Sequence, residues 1–175
     1  YRERSIGIGA LGFHDYLQSK NIPWESAMAV GINRTIFSGI KNKLEKVNLE
    51  LGKERGEAID ATGTGQRFSH MVAIAPNASS SLIMGNTSAS IEPYRANIYI
   101  QDTMSGVGVN KNKHLDKIIG KYCEQNSKFD YDEIWSSIIS NEGSVQHLEF
   151  LSDWEKDVFK TAMELDQRWI IQHAS

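Results

Sequence analysis

Apolar residues recur every three or four positions from Met28 through Ile32, Ile36, Ile40, Leu44 and Val47 to Leu51, the spacing that lines one face of an α-helix. That stripe predicts a long helix opened by Pro23 with a core-facing side, while Lys41, Lys43, Glu45, Lys46, Glu50 and Lys53 point elsewhere. Gly52 and Gly56 are its expected stops. Upstream, Ile6, Ile8, Leu11, Phe13 and Leu17 fall at mixed spacings with Gly7, Gly9 and Gly12 between them, which predicts a helix over Arg4 to Leu17 packed closely through its glycines. The central third reads differently. His70 to Ala75 is a short apolar strand ended by Pro76, and the polar run Asn77 to Ser81 leads into Leu82, Ile83 and Met84, giving strand, polar turn and short helix. A second polar turn covers Gly85 to Ser90, Ile91-Glu92-Pro93 is a rigid connector, and Ala96 to Gln101 alternates as a strand. After a turn expected at Gly106 and Gly108, helices are predicted over His114 to Tyr122 and Tyr131 to Ile139. Ser152-Asp153-Trp154-Glu155 has the form of a capping box, and Val158, Ala162, Leu165, Trp169 and His173 follow at helical spacing, predicting one long final helix. The plan is a helix-rich α/β mixture without internal repeats.

Composition narrows what this plan can do. A chain of 175 residues that is 40% hydrophobic fits a single domain or a substantial part of one, with enough apolar material for a core. With 19 basic against 22 acidic residues and a net charge of -3, it has no general attraction for nucleic acid or anionic membrane, so an anion must be gripped locally. No apolar run approaches the roughly 20 residues of a membrane span, and the first twenty residues carry charges instead of a signal-peptide core, so a cytoplasmic protein is expected. The single cysteine, Cys123, excludes an internal disulfide and argues against a cysteine-based zinc site. The chain begins at Tyr1 without a methionine and its last helical pattern runs to Ser175, so residues 1–175 are expected to be a single partial domain cut at both ends from something longer.

Two polar turns carry candidate chemistry. Thr62-Gly63-Thr64-Gly65 has the flexibility of a phosphate loop but neither the lysine of a P-loop nor the full glycine pattern of a dinucleotide fingerprint. Ala75-Pro76-Asn77-Ala78-Ser79-Ser80-Ser81-Leu82 is more informative, because residues after a strand-ending proline present backbone N–H groups and hydroxyls at the positive end of a helix, where a phosphate is favoured without any lysine. On residue types alone, serines serving simply as helix N-caps explain the same run.

The segment Ala75 to Ser81, followed by Asn86-Thr87-Ser88-Ala89-Ser90-Ile91-Glu92-Pro93-Tyr94-Arg95-Ala96-Asn97, resembles the barrel region of the class I ribonucleotide reductase large (alpha) subunit. Arg2-Glu3-Arg4-Ser5-Ile6-Gly7-Ile8-Gly9-Ala10-Leu11-Gly12-Phe13 upstream, and Gly143-Ser144-Val145-Gln146-His147-Leu148 with Leu165 to Ala174 downstream, extend the likeness in order over most of the chain. The resemblance implies the C-terminal part of a ten-stranded α/β barrel and an oxidoreductase role in deoxyribonucleotide biosynthesis for DNA replication, as part of a ribonucleoside-diphosphate reductase. It implies that Asn77, Ala78, Ser79 and Ser80 bind substrate phosphate, with Ser81 at the margin; Asn77 stands where the family suggests threonine or serine. It also implies partners: the remaining large-subunit segment, a radical-generating, metal-containing small subunit, a dithiol reductant and a ribonucleoside diphosphate. Ribose reduction needs a thiyl radical and a cysteine pair, and one cysteine cannot supply both, so no catalytic residue is assigned here. A phosphate-binding or scaffold module that kept the fold, and the cobalamin-dependent reductase class with a related loop, are the rival readings; the Leu165 to Ala174 motif resembles class I more closely.

The remaining candidates read as structural. His14, His70, His114, His147 and His173 lack metal-ligand spacing, and no metal is assigned. Glu92 beside Pro93 is expected to order its loop by accepting backbone hydrogen bonds. Trp24, Trp135, Trp154 and Trp169 are expected in core or interface, Cys123 on a helix and partly buried, and Lys111, Lys113 and Lys117 on a solvated face.

Overall fold

The computed structural model describes residues 2–103 and 106–174; the two chain ends, Tyr1 and Ser175, lie outside them. Seven α-helices and one two-stranded sheet are assembled among the described residues. In chain order they are α1 (Phe13–Ser19), α2 (Ala27–Arg55), α3 (Ala78–Ile83), β1 (Ile98–Thr103), β2 (Gly106–Lys111), α4 (Lys113–Gln125), α5 (Tyr131–Ser140), α6 (Asp153–Val158) and α7 (Gln167–Ala174).

The glycines near the start do not build a helix. Residues 6–9 are extended and run parallel to residues 70–73: Ile6 N–H donates to His70 O at 3.0 Å, Ile8 N–H to Met71 O at 2.9 Å, and Ala73 N–H to Ile8 O at 3.2 Å. A Cβ added at Gly7 would lie 2.9 Å from Ala73 Cβ, and one at Gly9 would lie 2.5 Å from Ala73 O. The glycines therefore admit a neighbouring strand-like segment, which is why their spacing of two fits an extended chain and not the predicted helix. Of the expected element only Phe13 to Leu17 is helical, and the helix runs on to Ser19.

Helix α2 runs 29 residues, about 43 Å, from an N-cap at Ser26, whose hydroxyl accepts Ala29 N–H, to Gly56 at φ 80°. Its apolar stripe is buried only in part: Ile32 and Ile36 pack against a core cluster, but no residue of the stripe is fully buried. Met28 and Val47 are exposed, and the buried positions are Ala29, Val30, Asn33, Asn48 and Gly52. Polar and backbone contacts explain the difference: Asn48 Nδ2 donates to Phe68 O at 3.0 Å while its Oδ1 accepts Phe68 N–H at 2.8 Å. Gly52, expected as a stop, lies inside the helix where a Cβ would come within 1.9 Å of Gly65 O.

Two apolar clusters hold the fold. Phe13, Leu17, Ile22, Trp24, Ala29 and Leu165 form one, with Ile32, Ile36, Ile91 and Trp169 against it. The larger gathers Leu115 and Ile119 of α4, Ile134, Trp135 and Ile138 of α5, and Val145, Leu148, Leu151, Val158 and Phe159, with Ile98 of β1. Helices α4 and α5 occupy the predicted segments, and their buried residues follow the three-to-four spacing. Cys123 is half-buried against this cluster. Asn97 joins the parts: its buried side chain donates to Gly143 O at 3.0 Å and Phe159 O at 2.7 Å and accepts Asn112 Nδ2 at 3.0 Å.

Two further expectations change. Gly106 and Gly108 belong to β2, which pairs antiparallel with β1 from Ile98↔Lys111 to Thr103↔Gly106. The final helix is two helices. The capping box forms, with Ser152 N–H donating to Glu155 Oε2 at 2.9 Å, but α6 ends at Val158. The chain then follows tertiary partners: Ala162 N–H donates to Tyr94 O at 2.8 Å, Lys160 Nζ to Glu25 Oε2 at 2.8 Å and Asp166 N–H to Glu25 Oε1 at 2.6 Å. These bonds draw Ala162 and Leu165 out of a continuous helix. No helix among the described residues is long and apolar enough to cross a membrane.

Candidate functional site

Asn77 opens α3, but its side chain does not cap the helix. Its Oδ1 accepts the backbone N–H of Ser90 at 2.7 Å, tying the first polar turn to the second. The first helical hydrogen bond is Ser81 N–H to Asn77 O at 2.9 Å. No acceptor among the described residues meets the backbone N–H groups of Ala78, Ser79 and Ser80, which stand exposed at the positive end of a six-residue helix. Ser79 and Ser80 add two exposed hydroxyls. Ser81 is different: it is buried, and its hydroxyl donates inward to Ala78 O at 2.6 Å. The arrangement can donate several hydrogen bonds to one anionic group.

The far end of α3 is closed by Gly85 at φ 89° and Asn86 at φ 54°. Asn86 N–H donates to Leu82 O at 3.1 Å and Thr87 N–H to Ser81 O at 3.0 Å. Two tyrosines grip this turn, since Tyr94 Oη lies 3.1 Å from Asn86 O and Tyr99 Oη donates to Asn86 Oδ1 at 2.7 Å. The second polar turn also caps α1. Ser88 Oγ accepts the N–H groups of His14 at 3.1 Å and Asp15 at 3.3 Å, and a Cβ on Gly12 would lie 2.5 Å from Thr87 Oγ1.

Asp15 is the charged centre beside this turn. Its Oδ1 receives Tyr94 Oη at 2.9 Å, Lys113 Nζ at 3.0 Å and His114 Nε2 at 3.2 Å. Burial pushes its carboxyl upward, but hydrogen bonds from His114, Lys113 and Tyr94 outweigh this and hold it down at about 2. Burial, followed by the charge of Asp15 and the bond to it, raises the Tyr94 phenol well above its ordinary value.

The other candidates fall into structural places. In the Thr62 to Gly65 turn, the Glu57 carboxylate already accepts Gly63 N–H at 2.6 Å and Gly65 N–H at 2.8 Å, so the donors a phosphate would use are taken by the protein. Glu92 is exposed, and its backbone N–H closes a turn onto Ala89 O at 2.9 Å; its carboxylate does not order the loop as expected. His14 and His173 are buried in aromatic surroundings with Trp24, and His70 and His147 contact the hydroxyls of Ser5 and Ser137. Trp24 and Trp135 are core residues, whereas Trp154 is half-exposed and donates to Asn21 O at 2.9 Å. Among the described residues, no three His, Cys, Asp or Glu side chains gather to hold a metal ion. Asp15, Tyr94 and Asn97 are the residues that reasoning from local pattern missed. Asp15 and Tyr94 lie 79 positions apart, and only the motif containing Tyr94 pointed near them.

Over residues 1–62 and 57–175 the sequence matches the family model of the ribonucleotide reductase barrel domain. The chain belongs to that family. It is 57% identical over 173 residues to the ribonucleoside-diphosphate reductase large subunit of Invertebrate iridescent virus 3, covering 99% of this chain and 27% of the relative. Identity to the large subunit of Invertebrate iridescent virus 6 is 53% over 176 residues, covering 99% of this chain and 18% of the relative. The solved structure of the Actinobacillus ureae class Id ribonucleotide reductase alpha subunit superposes with a TM-score of 0.85 at 41% identity, covering 99% of this chain and 30% of that one. The chain thus spans between about a fifth and a third of the length of these relatives. Its helix-rich α/β fold is part of the reductase barrel, and the parallel pair at residues 6–9 and 70–73 is the pairing that such a barrel uses.

Proposed function

We propose that this chain contributes the substrate-phosphate cradle to a class I ribonucleoside-diphosphate reductase large subunit. The observation that carries the reading is the set of three backbone N–H groups, Ala78, Ser79 and Ser80, without acceptors and exposed at the start of α3. In this reading they donate to the phosphate oxygens of a ribonucleoside diphosphate, with the Ser79 and Ser80 hydroxyls as further donors. Asn77 serves from behind, anchoring the turn through Ser90.

Residues 1–175 act as one partial domain of the larger cytoplasmic subunit. The thiyl radical and the reducing cysteine pair come from the remaining large-subunit segment, because this chain holds one cysteine and it packs against the core at Cys123. A metal-containing small subunit generates the radical and a dithiol reductant resets the pair. This chain's residues bind and orient the substrate's phosphates and carry none of the electron transfer.

The test uses the complete large subunit with its small subunit. Ala78→Pro removes one donor at the first helical position and, because proline disfavours the ψ of 41° at the preceding Asn77, also loosens the turn, so the KM for a ribonucleoside diphosphate should rise at least about tenfold, equivalent to about 1.4 kcal/mol. Cys123→Ser should leave turnover unchanged. Loss of turnover in folded Cys123→Ser, or an unchanged KM in Ala78→Pro, contradicts the proposal.

A further inference from the structure

A helix of six residues cannot hold itself together in water, since the nucleation cost of helix formation leaves isolated helices shorter than about 12 residues marginal. The donors at the start of α3 are therefore preorganised only if both of its ends are fixed from outside. The front is fixed by Asn77 Oδ1 on Ser90 N–H and by Ser81 Oγ on Ala78 O. The back is a two-residue left-handed turn, Gly85 at φ 89° and Asn86 at φ 54°. Glycine enters that region freely, whereas asparagine does so at a cost and needs partners.

Those partners converge on one carboxylate. The carbonyl and side-chain oxygens of Asn86 meet the hydroxyls of Tyr94 (3.1 Å) and Tyr99 (2.7 Å). The Tyr94 hydroxyl has a single proton, so it joins Asn86 O and Asp15 Oδ1, 2.9 Å away, as the fork of one three-centre hydrogen bond. Lys113 Nζ reaches Gly85 O at 3.4 Å while paired with the same Asp15 oxygen at 3.0 Å. Asp15 is itself immobilised, because its backbone N–H donates to Ser88 Oγ in the turn that follows.

We infer that Asp15 is a positioning residue for the phosphate cradle, fixing the Gly85–Asn86 turn through the Tyr94 hydroxyl and the Lys113 ammonium. The inference rests on the cradle proposed above. Asp15 touches no substrate in this role; it acts through Tyr94 and Lys113 on the end of α3, and through α3 on the three amide donors. Removing either link lets α3 fray from its back and disorders the donors while the core around Phe13 and Leu17 remains.

The experiment is done on the complete large subunit with its small subunit, using Tyr94→Phe and Asp15→Asn. Tyr94→Phe deletes one hydroxyl from a half-buried ring and guards against a failure of Asp15→Asn to fold. Both variants should raise KM for the ribonucleoside diphosphate about three- to tenfold, the effect of losing about one hydrogen bond's worth of preorganisation, with kcat within about twofold. Binding of the unphosphorylated ribonucleoside should be unchanged, which a general loosening of the fold would not leave intact. An unchanged diphosphate KM, or an equal loss for nucleoside and diphosphate, overturns the positioning role. Ala78→Pro in parallel separates the two ideas. If it weakens diphosphate binding while Tyr94→Phe does not, the cradle stands and the role of Asp15 is wrong; if it has no effect either, the cradle fails and the positioning role falls with it.

Discussion

The imidazole Nδ1 of His14 accepts the backbone N–H of Tyr94 at 2.9 Å inside a fully buried pocket. An accepting Nδ1 leaves the ring proton of the neutral imidazole on Nε2, which lies 3.3 Å from Gln18 Nε2. Burial lowers the pKa to about 3, with the Val158 bond opposing the shift. Below the unfolded value of 6.5 the unfolded chain therefore takes up a proton that the folded chain refuses until about pH 3, and stability falls as pH drops through that window.

The limiting slope from this one group is about 1.4 kcal/mol per pH unit. His147 and His173, lowered by burial, act in the same direction. Urea midpoints measured between pH 6 and 4.5 should fall more steeply for the natural chain than for His14→Asn, whose side-chain oxygen stands where Nδ1 accepts Tyr94 N–H. Parallel slopes would show that His14 is not buried neutral.

Two glycines of α2 predict opposite outcomes for the same substitution. Gly52→Ala places a methyl 1.9 Å from Gly65 O, a backbone atom that cannot swing aside, and should destabilise by about 3 kcal/mol or more. Gly31→Ala meets nothing within 4 Å and should stabilise by about 0.5–1 kcal/mol through helix propensity. Thermal midpoints moving in the same direction would contradict the packing of α2 on the Gly65 turn.

Glu57 ties down the Thr62 to Gly65 turn through Gly63 and Gly65 N–H. Glu57→Ala should cost about 1–2 kcal/mol at this partly exposed site and leave diphosphate binding by the complete subunit unchanged. A change in diphosphate affinity at constant stability would restore this turn as a phosphate site.

What the sequence made legible follows from how local each cause is. Helices α4 and α5 were readable because Leu115, Ile119, Ile134 and Ile138 each face one apolar cluster at helical spacing. The opening of a short helix after Pro76 was readable because a proline and a serine run act within a few residues, although α3 begins at Ala78 and takes in the run expected as a turn. Three misreadings share the opposite property. Gly7 and Gly9 answer to Ala73, Asn48 answers to Phe68, and the break after Val158 answers to Glu25 and Tyr94, all distant partners that periodicity does not register. Asp15 and Tyr94 belong with these: neither stands in a stripe, and only the folded chain places them 2.9 Å apart.

The amides opening α3 are proposed to hold substrate phosphate. Calorimetric titration of the complete large subunit, natural and Ala78→Pro, with a ribonucleoside diphosphate and with its unphosphorylated ribonucleoside tests it most directly. Diphosphate binding about tenfold weaker in the variant, with the same nucleoside affinity in both proteins, is the expected result. Equal diphosphate affinity in the two proteins, with the variant folded, would contradict it.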